Sequence, residues 1–247
     1  MDNGSGSGMP ETLVLWDVDH TLIENGGISK ETYRGAFEQV VGRSPSVQPV
    51  THGRTDLQIM RELLIANGES PEAFSPLSQF GDVLRDVMHS KADDLARRGY
   101  VLPGVVDALS ALADQPNVLQ SVLTGNVTEN AQLKVTAFGL EKWFDLDIGG
   151  YGTDDEVRSK LIDASRQKVA AKYGRMFDRD STVLIGDTPL DVKAGHDGGA
   201  RVIAVASGVH SVDELVACEP DATLPDLVDT QAFLATLAAV RSASSAG

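Results

Sequence analysis

Six short apolar runs, at residues 12–16, 119–123, 146–148, 182–185, 202–206 and 222–224, recur along the chain. Helical patterns fill the gaps between the later runs, at 104–114, 129–138, 158–173 and 190–198. This alternation restricts the fold more than any other property of the sequence. Strand–helix–strand units join parallel strands, and a parallel sheet has to be covered by helices on both faces. The expected class is therefore α/β, a three-layer α/β/α Rossmann-like core on a parallel sheet. Only the first gap breaks the rhythm. Residues 26–99 contain no convincing strand and read as helices at 30–41 and 56–67 and one long helix at 71–97. They predict an inserted α-helical cap domain on a discontinuous core made of residues 10–25 and 100–240. The Gly/Ser-rich residues 1–9 and the last residues, 242–247, read as flexible ends.

A chain of 247 residues can bury one large core, or a core with a smaller appended domain. Lys and Arg number 21 against 36 Asp and Glu, a net charge of −15. That balance argues against nucleic acid or an anionic membrane as the main partner. It also repels phosphorylated molecules at long range, so any phosphate site must be a local basic or metal-charged pocket. The single cysteine, Cys218, excludes an intrachain disulfide and a multi-cysteine metal site. No run approaches the ~20 apolar residues of a membrane helix, and no signal-peptide pattern opens the chain. A cytoplasmic monomer or homodimer acting on a small molecule is the expectation.

The polar residues that end the apolar runs carry the chemistry. Asp17-Val18-Asp19 directly follows the run 12–16. Two carboxylates two residues apart on an extended strand end project to the same side, where they repel unless a cation or a division of labour keeps both useful. The second run ends in Thr124-Gly125-Asn126 before a helix, a hydroxyl and bare amides suited to an anion. The run at 182–185 ends in Gly186-Asp187-Thr188-Pro189-Leu190-Asp191. Parallel strands bring Asp17, Asp19, Thr124 and Asp187 to one sheet edge, the place where ligands bind in such folds. Carboxylates with room for phosphate and water suit Mg2+.

Those three motifs, in that order, resemble the haloacid-dehalogenase-like superfamily of phosphohydrolases, with the match running from Thr12 to about Leu237. Within it the chain looks most like the phosphoglycolate-phosphatase and β-phosphoglucomutase group. Gly53-Arg54-Thr55-Asp56 and the stretch Ala194-Gly195 to Gly198-Gly199-Ala200 fit that group as well. The resemblance implies that Asp17 is a nucleophile forming an aspartyl-phosphate, and Asp19 the acid/base. It implies Mg2+ held by Asp17, the backbone carbonyl of Asp19 and Asp187, with Asp191 in an outer position through water or loop contacts. Thr124 and the amides of Gly125 and Asn126 would hold the phosphoryl oxygens.

The family's third motif is one Lys or Arg. Lys134 follows Thr124 by ten residues and is the favoured candidate, with Lys160 the alternative and Arg158 a third. One departure stands out: His20 occupies the position after the second Asp, where the family usually has Gly. His20 could be a substrate contact, an accessory acid/base or a tolerated substitution where the backbone is unstrained. His52, Arg54 and the loop 23–29 are plausible lining groups of the substrate pocket. His89, His196 and His210 have no metal-binding spacing and read as structural or exposed.

A Mg2+-dependent phosphatase acting on a small phosphorylated metabolite is the expected function. Dehalogenating relatives lack an acid/base carboxylate at the position of Asp19, as would a phosphonate hydrolase. A sugar phosphomutase is the alternative, with Arg54 able to bind a second phosphate. A catalytically silent binding protein is the other, disfavoured by the retention of Asp17, Asp19, Thr124 and Asp187.

Overall fold

The computed structural model describes residues 11–74 and 79–242. Along the chain the strands are β1 (Thr12–Trp16), β2 (Ile23–Glu24), β3 (Tyr100–Val101), β4 (Val118–Thr124), β5 (Gly150–Tyr151), β6 (Thr182–Gly186), β7 (Arg201–Val205) and β8 (Ala222–Leu224). The helices are α1 (Ile28–Val41), α2 (Asp56–Ala66), α3 (Gln79–Ser90), α4 (Ala92–Arg98), α5 (Val105–Ala113), α6 (Thr128–Ala137), α7 (Lys160–Tyr173), α8 (Pro189–Asp197), α9 (Val212–Val216) and α10 (Thr230–Ser242).

Six strands form one sheet in the order β5-β4-β1-β6-β7-β8, and every pair is parallel. The expected α/β class is what the chain adopts. β1 lies inside the sheet and is buried along its whole length, which is why it reads as an unbroken apolar run. Its side chains divide between the two faces with period two. Val14 and Trp16 join Val122, Val183 and Ile185 under α5, α6 and α10, through Leu109, Val135 and Phe233. Leu13 and Leu15 join Leu123 and Leu184 under α7 and α8, through Leu161, Val169 and Ala194. Burying each such side chain stabilises the fold by about 1.5–3 kcal/mol. Trp16 adds a polar tie, its Nε1 donating to Gln120 Oε1 at 3.2 Å.

Residues between Glu24 and Tyr100 form a helical insert with its own apolar cluster. Tyr33, Phe37, Ile59, Met60, Leu63, Phe80 and Leu84 from α1, α2 and α3 meet there, together with Val127 from the sheet side. The chain passes into and out of the insert through β2 and β3, which pair antiparallel with Ile23 opposite Val101. This ribbon carries no apolar alternation and was not foreseen. Among the described residues, no helix is long and apolar enough to cross a membrane.

The structure corrects several expected boundaries. The long helix at 71–97 is interrupted: a 3-10 turn at Pro71–Phe74 precedes α3, and Lys91 separates α3 from α4. Ser90 explains the second break, because its Oγ donates back to Val87 O at 2.7 Å and competes with the helix ladder. Residues 75–78 of that expected helix lie outside the described residues. The run 146–148 is a 3-10 turn, not a strand. Asp145 Oδ1 accepts from Asp147 N at 3.2 Å and tightens the chain there, so the sheet's edge strand is β5. Ser242, expected to be flexible, closes α10. The other expected flexible residues, 1–9 and 243–247, lie outside the described residues.

Candidate active site

Strand register gathers the polar residues. Trp16 is level with Val122 of β4 and Ile185 of β6, so the residues just beyond those partners share one edge. Asp17, Thr124 and Asp187 all emerge there and are buried. The backbone N–H of Asp17 still donates to Ile185 O at 2.8 Å, which keeps the nucleophile candidate on the sheet's rigid end.

Asp17, Asp187 and Asp191 each offer an oxygen within 4.8 Å of the others. Asp191 reaches the group from the first turn of α8, where it forms a capping box with Thr188. Its Oδ2 accepts from Thr188 N and Oγ1, at 3.0 and 2.7 Å. Its Oδ1 and Asp187 Oδ2 are buried without a hydrogen-bond partner. Asp191 was expected in an outer position through water or loop contacts; it makes loop contacts to Thr188 and also offers an oxygen to the carboxylate cluster. Gly208 covers Asp187 closely, since a Cβ there would stand 1.9 Å from Asp187 Oδ2. Burial, with the charges of Asp191 and Asp17, pushes the Asp187 carboxyl well above its ordinary range. Burial also raises Asp17 to about 6, against the opposing charge of Arg158. Three buried carboxylates, with Asp187 Oδ2 lacking any partner, carry more negative charge than one nearby cation offsets and fit a hard divalent cation such as Mg2+.

Two cations divide the paired carboxylates between them. Arg158 Nη2 lies 2.9 Å from Asp17 Oδ1 and 2.5 Å from Asp191 Oδ1. Both are close ion-pair contacts without hydrogen-bond alignment, which leaves Arg158 Nε and Nη2 unsatisfied. Lys134 Nζ donates to Asp19 Oδ2 at 2.6 Å, Asn126 Oδ1 at 2.6 Å and Ser29 Oγ at 2.8 Å. Asn25 Nδ2 donates to the other oxygen of Asp19 at 2.7 Å. Burial acts to raise the Asp19 carboxyl, but the charge and hydrogen bond of Lys134 outweigh it and hold the group below its ordinary value. Lys160 is not brought to the site: it is 61 % exposed and pairs with Asp155 at 3.0 Å. Of the three candidates for the basic position, Lys134 and Arg158 are thus both present.

The turn after β4 supplies a compact polar loop. Asn126 N donates to Thr124 Oγ1 at 3.3 Å. Gly125 has no room for a side chain, because a Cβ would stand 2.1 Å from Arg54 O. The insert therefore lies directly on the loop, and Asp56 N donates to Gly125 O at 2.7 Å.

A small pocket of about 40 Å3, partly open to solvent, runs from the carboxylates to the insert. His20 and His52 face each other across it, ring centroids 5.5 Å apart. His20 Nδ1 pairs with Glu24 at 3.0 Å. Its backbone does not meet the expected unstrained condition: φ is +64°, the left-handed region. Surrounding bonds hold it there, His20 N to Ile23 O and Ser207 Oγ to His20 O, both 2.7 Å, against a cost of about 1–2 kcal/mol. Burial, reinforced by His20, Lys30, His210 and Arg54, lowers the His52 imidazole below its ordinary value. Arg54 lines the same wall, with Nε 2.9 Å from Glu62 Oε2.

Tyr33 and Asp56 also line or support the site and were not foreseen as functional. Asp56 carried one sequence signal, its place in the stretch Gly53-Arg54-Thr55-Asp56, to which no role was attached. A tyrosine on an amphipathic helix carries none, because it reads as packing.

The family model described as haloacid dehalogenase-like hydrolase matches residues 14–205. "Probable phosphatase IndB" of Dickeya dadantii is 26% identical over 220 residues, covering 88% of this chain and 89% of that protein. Pyrophosphatase PpaX of Halalkalibacterium halodurans is 24% identical over 227 residues, covering 90% and 97%. Among solved structures, a predicted phosphoglycolate phosphatase from Haemophilus somnus superimposes with a TM-score of 0.64 at 19% identity, covering 92% of this chain and all of the other. CbbY from Rhodobacter sphaeroides, solved with phosphate, does so with a TM-score of 0.59 at 18% identity, covering 90% and 96%. The sequence motifs, the sheet and this match agree: the chain belongs to the haloacid dehalogenase-like hydrolase family.

Proposed function

We propose that this hydrolase is a Mg2+-dependent phosphatase that cleaves small phosphomonoesters through an aspartyl-phosphate on Asp17. One observation carries the reading: the adjacent carboxylates Asp17 and Asp19 have separate partners. Asp17 stands with Arg158, Asp187 and Asp191, whereas Asp19 is held by Lys134 and Asn25. A nucleophile and an acid/base need this kind of separation. Relatives named phosphatase and pyrophosphatase support the same class.

In this reading Asp17 attacks phosphorus while Asp19 delivers a proton to the departing oxygen. Asp19 then takes a proton from water, the water oxygen attacks the phosphorus of the aspartyl-phosphate, and Asp17 is released as a carboxylate with free phosphate. The Lys134 contact favours ionised Asp19, the form that the second half requires. Thr124 and the amides of Gly125 and Asn126 hold the phosphoryl oxygens. Arg158 orients Asp17 and offsets part of the local negative charge. Mg2+, held by Asp17, Asp187, Asp191 and the carbonyl of Asp19, would supply the charge that lets an anion approach these carboxylates. Residues 26–99 act as the cap over the core, and His20, His52 and Arg54 face the leaving group.

Arg54 also bears on the mutase alternative. Its guanidinium already pairs with Glu62, which compensates part of the charge a second phosphate would need. That favours the phosphatase.

The test is hydrolysis of p-nitrophenyl phosphate with Mg2+, lost with EDTA and in Asp17→Asn. Activity without metal, or an active Asp17→Asn, would overturn the reading. Assaying isomerised sugar phosphate beside free phosphate separates the mutase.

A further inference from the structure

The helical insert and the loop after β4 meet at one buried carboxylate. Asp56 opens α2, but the helix cap is Thr55, whose side chain accepts from Gln58 N. The Asp56 carboxylate is therefore available for other partners. Val127 N donates to its Oδ2 at 2.8 Å, Tyr33 OH to its Oδ1 at 2.6 Å, and Asn126 Nδ2 to its Oδ1 at 3.4 Å. Tyr33 and Asp56 belong to the insert, while Asn126 and Val127 belong to the loop.

The contacts continue without a gap. Asn126 Oδ1 accepts from Lys134 Nζ, which donates to Asp19 Oδ2, each at 2.6 Å. Tyr33, Asp56, Asn126 and Lys134 are all buried. An amide has one donor end and one acceptor end, and this amide lies between a carboxylate and an ammonium. Turning it over would set NH2 against Lys134 and oxygen against Asp56. Asp56 thus selects the orientation of Asn126, and Asn126 in turn locates the ammonium that holds Asp19.

We propose that Asp56, oriented by Tyr33, is a positioning residue for Asp19, acting through Asn126 and Lys134 and tying the placement of the acid/base to docking of the insert on the loop. The inference rests on the phosphatase reading, in which Asp19 protonates the leaving oxygen. It needs a test that loss of structure alone would not satisfy.

Phenyl phosphate and p-nitrophenyl phosphate provide one. They are similar in shape, but p-nitrophenolate departs with little protonation, whereas phenolate, with a conjugate acid near that of tyrosine at about 10, needs the proton. In Asp56→Asn, kcat/KM for phenyl phosphate should fall about tenfold more than for p-nitrophenyl phosphate. Tyr33→Phe should shift the ratio the same way by a smaller factor. Should Asp56→Asn fail to fold, Tyr33→Phe decides by the same ratio, since it removes only one hydroxyl. Proportional losses on both esters, or no loss, would overturn the proposal. A wild-type protein that hydrolyses neither ester would overturn the phosphatase reading itself.

Discussion

Arg158 Nη2 lies 2.9 Å from Asp17 Oδ1, and both side chains are at least nine-tenths buried. Burial alone would lower the guanidinium's affinity for its proton, but Asp17 and Asp191 more than reverse that. Arg158 therefore stays charged beside the proposed nucleophile, Asp17. Arg158→Ala is expected to lower kcat/KM about 100-fold, the scale of removing a fixed charge from a phosphoryl site. Arg158→Lys should recover part of it, because an ammonium restores the charge but not the planar guanidinium that sets Nη2 between the two carboxylates. Lys160→Ala should stay within about twofold of wild type, since an exposed pair contributes little. Steady-state kinetics on p-nitrophenyl phosphate measures all three, and equal effects at 158 and 160 would refute the assignment.

Lys134 should show a double penalty. Lys134→Ala strips a donor from Asp19, Asn126 and Ser29 at once. Breaking a buried pair costs about 3 kcal/mol, which in a domain of this size lowers Tm by about 6–12 °C. Activity should fall about 100-fold beyond any loss of folded protein. A thermal melt recorded beside the rate assay separates the two effects. Near-normal rates would remove Lys134 from the machinery.

Metal binding should be proton-linked. The raised carboxyl of Asp17, about 6, and that of Asp187, also well above its ordinary range, bind protons more tightly in the metal-free fold than in the unfolded chain. Their contribution to metal-free stability is complete at low pH and is lost as pH rises, for Asp17 through about 6. A cation at these oxygens must displace the same protons, so its affinity should grow with pH. The rise in Tm on adding Mg2+ should be larger at about pH 7.5 than at about pH 5.5. An equal rise at both values would place the cation elsewhere.

Asp145 predicts the opposite slope, far from the chemistry. Burial would raise its carboxyl, but hydrogen bonds from Lys172 and Tyr173, at 2.8 and 2.6 Å, outweigh it and hold the group below 3.8. A depressed carboxyl stabilises the fold above its unfolded value and loses that contribution as pH falls through the folded one. Asp145→Asn should therefore lower Tm at neutral pH, with the gap to wild type closing in acid. A gap that persists there would mean the residue acts through shape.

The sheet was legible because a parallel strand buried on both faces leaves an unbroken apolar run, as 12–16 and 182–185 do. The run 146–148 failed for a local reason, since Asp145 turned it with its own carboxylate. The carboxylates and Thr124 were legible because strand ends converge by register. Their partners were harder. A buried lysine such as Lys134 looks like any helix charge, and Arg158 precedes α7 with nothing to distinguish it from Lys160. Asp56 and Tyr33 act across the joint between insert and loop, a contact that no local pattern encodes.

The pairing of β2 with β3 has a consequence for how such a protein can change. The stretch between Glu24 and Tyr100 hangs from one point at both of its ends. A different set of helices suspended there would reshape the wall above the carboxylates. It would leave untouched the register that sets Asp17 beside Thr124 and Asp187. Selectivity can thus be rebuilt by exchanging the hanging piece, provided the replacement keeps a carboxylate where Asp56 meets the loop after β4.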